Sequence, residues 1–154
     1  MSGPTVRPAE AGESPAIAAV FLAARRGLLP DIPMVHPDAD APRWIRDILF
    51  ATTAMWVAVE DGGIVAMMSL SPGWLEHLYV HPQAQGRGIG AALLETAKRS
   101  DHGAAGLRLW TFQANAKARR FYERNGFAAE AFTDGSGNEE RTPDVRYVWL
   151  AHSR

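Results

Sequence analysis

The hydrophobic period of the chain changes at Met55, and that change limits the fold more than any other feature. Three short apolar runs follow, Met55 to Glu60, Ile64 to Leu70 and Trp74 to Val80, separated by the turns Asp61-Gly62-Gly63 and Pro72-Gly73. Short runs broken by turn residues predict three consecutive strands, the first two forming a hairpin. Beyond Val80 the period becomes helical, with Ile89, Leu93, Leu94 and Ala97 on one face, and a strand returns at Leu107 to Phe112. Strands and helices in this order put the chain in the α/β class.

Before Met55, Thr5 to Arg7 reads as a short strand. Ser14-Pro15 supplies an N-cap with proline at the first helical position, and the helix runs to about Arg26 and stops at Gly27. Prolines at 30, 33, 37 and 42 exclude regular helix from Leu28 to Pro42. From Arg43 to Ala51, helical spacing returns through Trp44, Ile45, Ile48 and Leu49, predicting a kinked helical segment. After Phe112 a helix capped by Asn115 ends at Asn125-Gly126, and strands at about Phe127 to Phe132 and Val145 to Leu150 complete the sheet. The polar stretch Thr133 to Pro143 connects those last two strands.

The 154 residues suit one domain, 1–154, with one core. Sixteen basic against 17 acidic residues leave no global field to attract nucleic acid or an anionic membrane, so neither is expected as a partner. With no cysteine there is no disulfide framework, thiolate metal site or cysteine nucleophile. The longest apolar run, Ala16 to Ala24, is far short of the ~18 residues that span a bilayer. Glu10 and Glu13 precede it where a secretory signal would be basic, and a cytoplasmic protein is expected.

The sharpest local pattern is Leu78-Tyr-Val-His-Pro82 leading into Gln85-Gly86-Arg87-Gly88-Ile89-Gly90-Ala91, a strand passing through a glycine-rich turn into a helix start. Such a turn lets the backbone approach a ligand and leaves N–H groups free at a helix N-terminus, which suits a diphosphate. A dinucleotide fingerprint fits the same glycines poorly. His81 to Ala84 separate them from the strand, and the next strand, Leu-Arg-Leu-Trp-Thr-Phe, lacks the acidic residue that fingerprint wants. No Walker lysine follows.

Here the chain resembles the GCN5-related N-acetyltransferase (GNAT) superfamily, whose acetyl-CoA loop has the form Gln/Arg-x-x-Gly-x-Gly/Ala, matched by Gln85, Gly88 and Gly90. Asn115-Ala116-Lys-Ala118-Arg-Arg-Phe121-Tyr122-Glu-Arg-Asn-Gly126-Phe127 is similar to the superfamily's Asn-x-x-Ala-x-x-Phe-Tyr-x-x-x-Gly-Phe segment. The match is good from Trp56 to Phe127 and poor before Arg43. It implies the GNAT fold: a mixed, mostly antiparallel sheet of six to seven strands flanked by about four helices, splayed between strands 4 and 5, with acetyl-CoA in the opening.

On that resemblance Leu78 and Val80 offer main-chain groups to the pantetheine arm, and Gln85, Gly86, Arg87, Gly88, Ile89, Gly90 and Ala91 hold the pyrophosphate. Asn115 contacts cofactor or amine, and Tyr122 protonates the leaving CoA thiolate, a role suited to a phenol near ~10 facing a thiol near ~8.5. The acceptor amine is protonated at neutral pH and needs a base. Trp74, Glu76, Leu78 and Val80 alternate onto one strand face, so Glu76 is the candidate base. His77 and His81 are spaced i, i+4 on a strand, about 13 Å apart, too far to share an ion, and no metal is expected. Lys117, Arg119, Arg120 and Arg124 read as a solvated helix face within reach of the CoA phosphates, while Asp134, Glu139, Glu140 and Asp144 could attract a cationic amine or simply solvate a loop. The expected activity is direct acetyl transfer in a ternary complex to a primary amine, on a small molecule or a peptide. The alternative is a non-catalytic acyl-CoA binding or sensing module. Homodimerisation is left open.

Overall fold

The computed structural model describes residues 3–28 and 32–151, so Pro30 lies outside the described residues. Seven strands form one sheet in the order β1-β2-β3-β4-β5-β7-β6. They are β1 (Thr5–Pro8), β2 (Ala54–Glu60), β3 (Gly63–Ser71), β4 (Trp74–Val80), β5 (Leu107–Phe112), β6 (Ala128–Phe132) and β7 (Asp144–Trp149). Every neighbouring pair is antiparallel except β4 and β5. The β2–β3 hairpin turns through Asp61 and Gly62, both at positive φ, which matches the twist of the strands it joins.

Two apolar layers flank the sheet. On one face α4 (Ile89–Arg99) buries Ile89, Leu93, Leu94 and Ala97 against Met68, Leu70, Leu75 and Leu109, and α5 (Ala116–Arg124) adds Tyr122. On the other, α1 (Ser14–Arg26) buries Ile17, Ala18 and Val20 against Val57 and Met67. A bent helical segment, 41–52, joins that second layer. It comprises α2 (Ala41–Trp44), a π turn (Ile45–Leu49) and α3 (Phe50–Thr52). The Phe50 N–H reaches back to the Ile45 carbonyl, and this wider turn keeps Ile45 and Leu49 in the core while Ile48 is 51% exposed. The expected face of Trp44, Ile45, Ile48 and Leu49 therefore loses Ile48.

Ser14 also departs from expectation. It lies inside α1, and its hydroxyl donates to the Ala11 carbonyl at 2.7 Å, because a short 3-10 turn, Ala11–Glu13, runs straight into the helix. The other end of the chain follows its residues closely: Gly126, at φ 92°, ends α5 and lets the Phe127 N–H return to the Tyr122 carbonyl. No helix among the described residues is long and apolar enough to cross a membrane.

Candidate active site

β4 and β5 run parallel but pair only at Trp74 and Arg108, where the Arg108 N–H meets the Gly73 carbonyl at 2.9 Å. Beyond that point the strands separate, and a cavity of about 890 Å³ opens between them. On the closed side of β4 the His81 N–H bonds the Val65 carbonyl. Antiparallel ladders alternate bonded and non-bonded pairs, so Tyr79 and His77 share the phase that bonds β3, and Leu78 and Val80 turn their N–H and C=O groups to the opening. Of the residues the sequence offered as a site, all except Arg87 line this cavity.

The glycine turn shapes one end. Gly86 and Gly88 sit at φ 81° and 79°, left-handed backbone in which a side chain is strained, and Gly88 is the N-cap of α4. Among the described residues no partner takes the N–H groups from Gly86 to Ala91, so several donors converge at a helix N-terminus. Such a set of donors suits a diphosphate. Gly90 is constrained differently, since a Cβ there would stand 3.3 Å from the Phe121 ring, which would have to give by a few tenths of an ångström. Gln85 braces the turn, donating to the Val80 carbonyl at 3.2 Å and accepting from Lys117 Nζ at 2.5 Å. The Arg87 side chain turns away to Glu60 at 2.7 Å, which leaves only its backbone N–H to the cradle.

On α5, Asn115 uses its side-chain oxygen to cap the helix through the Ala118 N–H at 3.2 Å. Seven residues on, Tyr122 is 8% exposed, with its ring edge-on to Phe121 and Phe127 at 5.1 and 5.6 Å. Its hydroxyl makes no hydrogen bond within the described protein. Since no side-chain oxygen or nitrogen among the described residues is both fully buried and unpartnered, that hydroxyl opens on the cavity. Burial pushes its pKa above the ordinary phenol value, with the neighbouring Tyr79 adding to the shift, so the group stays protonated at neutral pH.

Glu76 does not follow the simple alternation read from the sequence. Ser69 pairs with His77 and Leu70 with Leu75, so Glu76 is the extra residue of a β-bulge. Leu75, Leu78 and Val80 therefore share the α4 face, and Glu76 is exposed at the rim of the cavity, accepting from Ser71 Oγ at 3.0 Å. The late-loop acids are also engaged: Glu139 with His36 at 2.5 Å, Glu140 with Arg25 at 3.3 Å, and Asp144 with Thr133 and Asn138.

His77, weighed in the sequence only as half of a metal pair with His81, is a further polar residue of the site. It lines the cavity on the α1 face, packed among Phe21, Trp44 and Tyr79 with ring centroids 5.3–6.5 Å away. Its Nδ1 lies 2.9 Å from Ser69 Oγ. Ser69 is fully buried and has no other side-chain hydrogen bond among the described residues. A buried hydroxyl without an acceptor costs about 1–3 kcal/mol, so the serine donates to Nδ1 and Nε2 carries the ring proton. Nε2 has no partner among the described residues and is not fully buried, and His77 lines the cavity, which is where that N–H finds open space. Burial, with a smaller repulsion from Arg25, lowers the His77 pKa to about 4, and the ring is neutral at physiological pH. The signal available beforehand was Ser69 and His77, polar residues set among the apolar ones of two neighbouring strands.

A family model described as the acetyltransferase (GNAT) domain matches residues 51–129, the stretch from the end of α3 through the glycine turn and α5 into β6. The chain belongs to the GNAT acetyltransferase family. This GNAT chain is 32% identical over 130 residues to the peptidyl-lysine N-acetyltransferase YiaC of Escherichia coli strain K12, covering 79% of this chain and 82% of the relative. A GCN5-related N-acetyltransferase structure from Rhodopseudomonas palustris superposes with a TM-score of 0.77 at 24% identity, covering 98% of both chains. The structure of yncA from Salmonella typhimurium with its cofactor acetyl-CoA superposes with a TM-score of 0.72 at 20% identity, covering 99% of this chain and 97% of that one. Among the described residues the GNAT sheet here is mixed, seven-stranded and flanked by four helical segments.

Proposed function

We propose that this acetyltransferase moves an acetyl group from acetyl-CoA directly to the primary amine of a peptide lysine, with both substrates bound together in a cytoplasmic enzyme. The observation that carries this reading is one cavity edged by the backbone of Leu78, the Val80 N–H, and the N–H groups of the glycine turn and the Tyr122 hydroxyl, none of which has a partner among the described residues. The turn suits the CoA pyrophosphate, and the open strand edge suits the pantetheine amides. A chain without cysteine has no thiol to carry an acyl intermediate, which supports direct transfer.

In this mechanism Glu76, at the wet rim, takes a proton from the incoming ammonium. The amine lone pair attacks the thioester carbon, the attached nitrogen loses its second proton to water at the open rim, and the C–S bond breaks as the carbonyl reforms. The thiolate then accepts a hydrogen bond and finally the proton of Tyr122. The relative named for peptidyl-lysine acetylation supports a peptide acceptor. So does a second opening of about 630 Å³ that shares Trp110, Thr111 and Phe112 with the first and has room for an extended chain under the loop between β6 and β7.

The test is CoA release across a panel of amines with lysine peptides included, run from neutral to high pH. Lysine peptides should turn over, no acetyl adduct should form on the protein alone, and Glu76→Gln should lose rate near neutral pH and recover where free amine is plentiful. Acetyl-CoA binding without CoA release on any amine would instead make the chain a binding module.

A further inference from the structure

His77 has no part in the transfer steps above, yet its ring is the most constrained polar group of the cavity. Phe21 from α1 and Trp44 from α2 fix the ring plane, at 6.5 and 5.3 Å, and Ser69 fixes the tautomer. These neighbours lie across the sheet from α4 and Tyr122, so His77 belongs to the half of the cavity remote from the pyrophosphate turn. The polar groups around it are also donors. Arg25 reaches the Tyr79 hydroxyl at 3.3 Å and lies 5.7 Å from the Phe21 ring centre, with Glu140 as its counter-ion. Glu76, next along β4, is turned out by the bulge and engaged with Ser71. A neutral N–H facing this space has nothing to offer a second ammonium. What it matches is an uncharged oxygen acceptor, and a peptide carries one at every residue.

We propose that the Nε2–H of His77 donates a hydrogen bond to a backbone carbonyl of the acceptor, making His77 the residue that separates peptide amines from plain alkyl amines. Ser69 is its positioning residue, because its hydroxyl holds the proton on Nε2. The assignment rests on the transferase reading above and deepens it by naming the group beside the amine that is recognised.

The experiment compares a short blocked lysine peptide with 1,5-diaminopentane, which presents an amine on the same aliphatic arm without a carbonyl. His77→Phe keeps an aromatic ring and removes the donor, and His77→Gln restores a neutral N–H donor. For His77→Phe, kcat/KM on the peptide should fall roughly 10-fold, the size of one neutral hydrogen bond, with the diamine unchanged. His77→Gln should recover part of the loss, and Ser69→Ala should fall between the two. In the wild-type protein, nitrogen-15 NMR should find the proton on Nε2. Equal losses on both amines would mean that the ring serves the thioester or the amine itself, and the proposal would fall. A peptide rate unchanged in His77→Phe, or a proton found on Nδ1, overturns it equally. A wild-type protein that turned over neither amine would sink the transferase reading and this proposal with it. Should His77→Phe fail to fold, the comparison of His77→Gln with Ser69→Ala and the NMR assignment still decide.

Discussion

Tyr122 combines two features that rarely coincide, a buried ring and a hydroxyl with no partner among the described residues. Packing against Phe121 and Phe127 holds the ring, so Tyr122→Phe removes a group that the fold does not use. Its melting temperature should stay within a degree or two of wild type while kcat falls roughly 10²- to 10⁴-fold. A melting temperature that dropped in step with activity would assign the hydroxyl to structure. His77 makes a prediction of a different kind. Its folded pKa, about 4, lies below the ordinary 6.5, so the unfolded chain binds the proton more readily. Its contribution to stability is therefore complete above pH 6.5 and is lost as pH falls towards 4. At ~1.4 kcal/mol per pH unit, over the span from 6.5 to about 4, that loss is at most about 3–4 kcal/mol. The Arg7–Glu13 pair fades lower, since Arg7 and the Glu10 N–H hold the Glu13 carboxyl at about 2. Melts of His77→Gln between pH 7 and 4.5 should be flatter than those of wild type, and parallel curves would contradict the buried neutral ring.

At the scale of elements, the strand-to-helix turn depends on backbone conformation more than on space. Nothing stands within 4 Å of a Cβ built on Gly88, yet its φ of 79° is one that a β-branched residue resists. Gly88→Val should cost about 1–3 kcal/mol of strain, or rotate the first N–H groups of α4 out of register. Either way acetyl-CoA affinity should fall at least 10-fold by calorimetry, and unchanged affinity in a folded variant would rule out the turn as the pyrophosphate site. The β4 bulge is the opposite kind of element. Along Trp74 to Val80 only Glu76 and His77 interrupt the apolar residues, nothing marks Glu76 as the inserted one, and the insertion appears only when β4 is paired against β3. The π turn in 45–49 is equally silent, because helical spacing and its one-residue widening draw on the same apolar residues.

For the whole molecule, the sheet is two antiparallel halves held together on one side of a gap by Trp74 and Arg108. A ligand filling that gap bridges β4 to β5 and α5, binding the folded state alone. Acetyl-CoA at 100 times its Kd should then add ~2.7 kcal/mol, raising the melting temperature of a protein this size by roughly 5–10 °C. A melting temperature indifferent to saturating acetyl-CoA would argue that the opening is not its site.

The α/β class, the order of strands and helices and the glycine turn were legible in the residues alone, since periodicity, caps and left-handed glycines act within a few positions of one another. Tyr122 and Asn115 were legible too, through a motif carried on one helix. The splay of β4 from β5 was expected through the family resemblance, and what tertiary structure alone decided were matters of register between distant segments: that the two strands keep the single pair Trp74–Arg108, that Glu76 is bulged, and that Arg87 turns to Glu60. The pairing of Ser69 with His77, across eight residues of hairpin, belongs with them. A side chain's charge and direction follow from what packs around it, and the neutral N–H of His77 exists only because Phe21, Trp44 and Ser69 meet it from three separate elements.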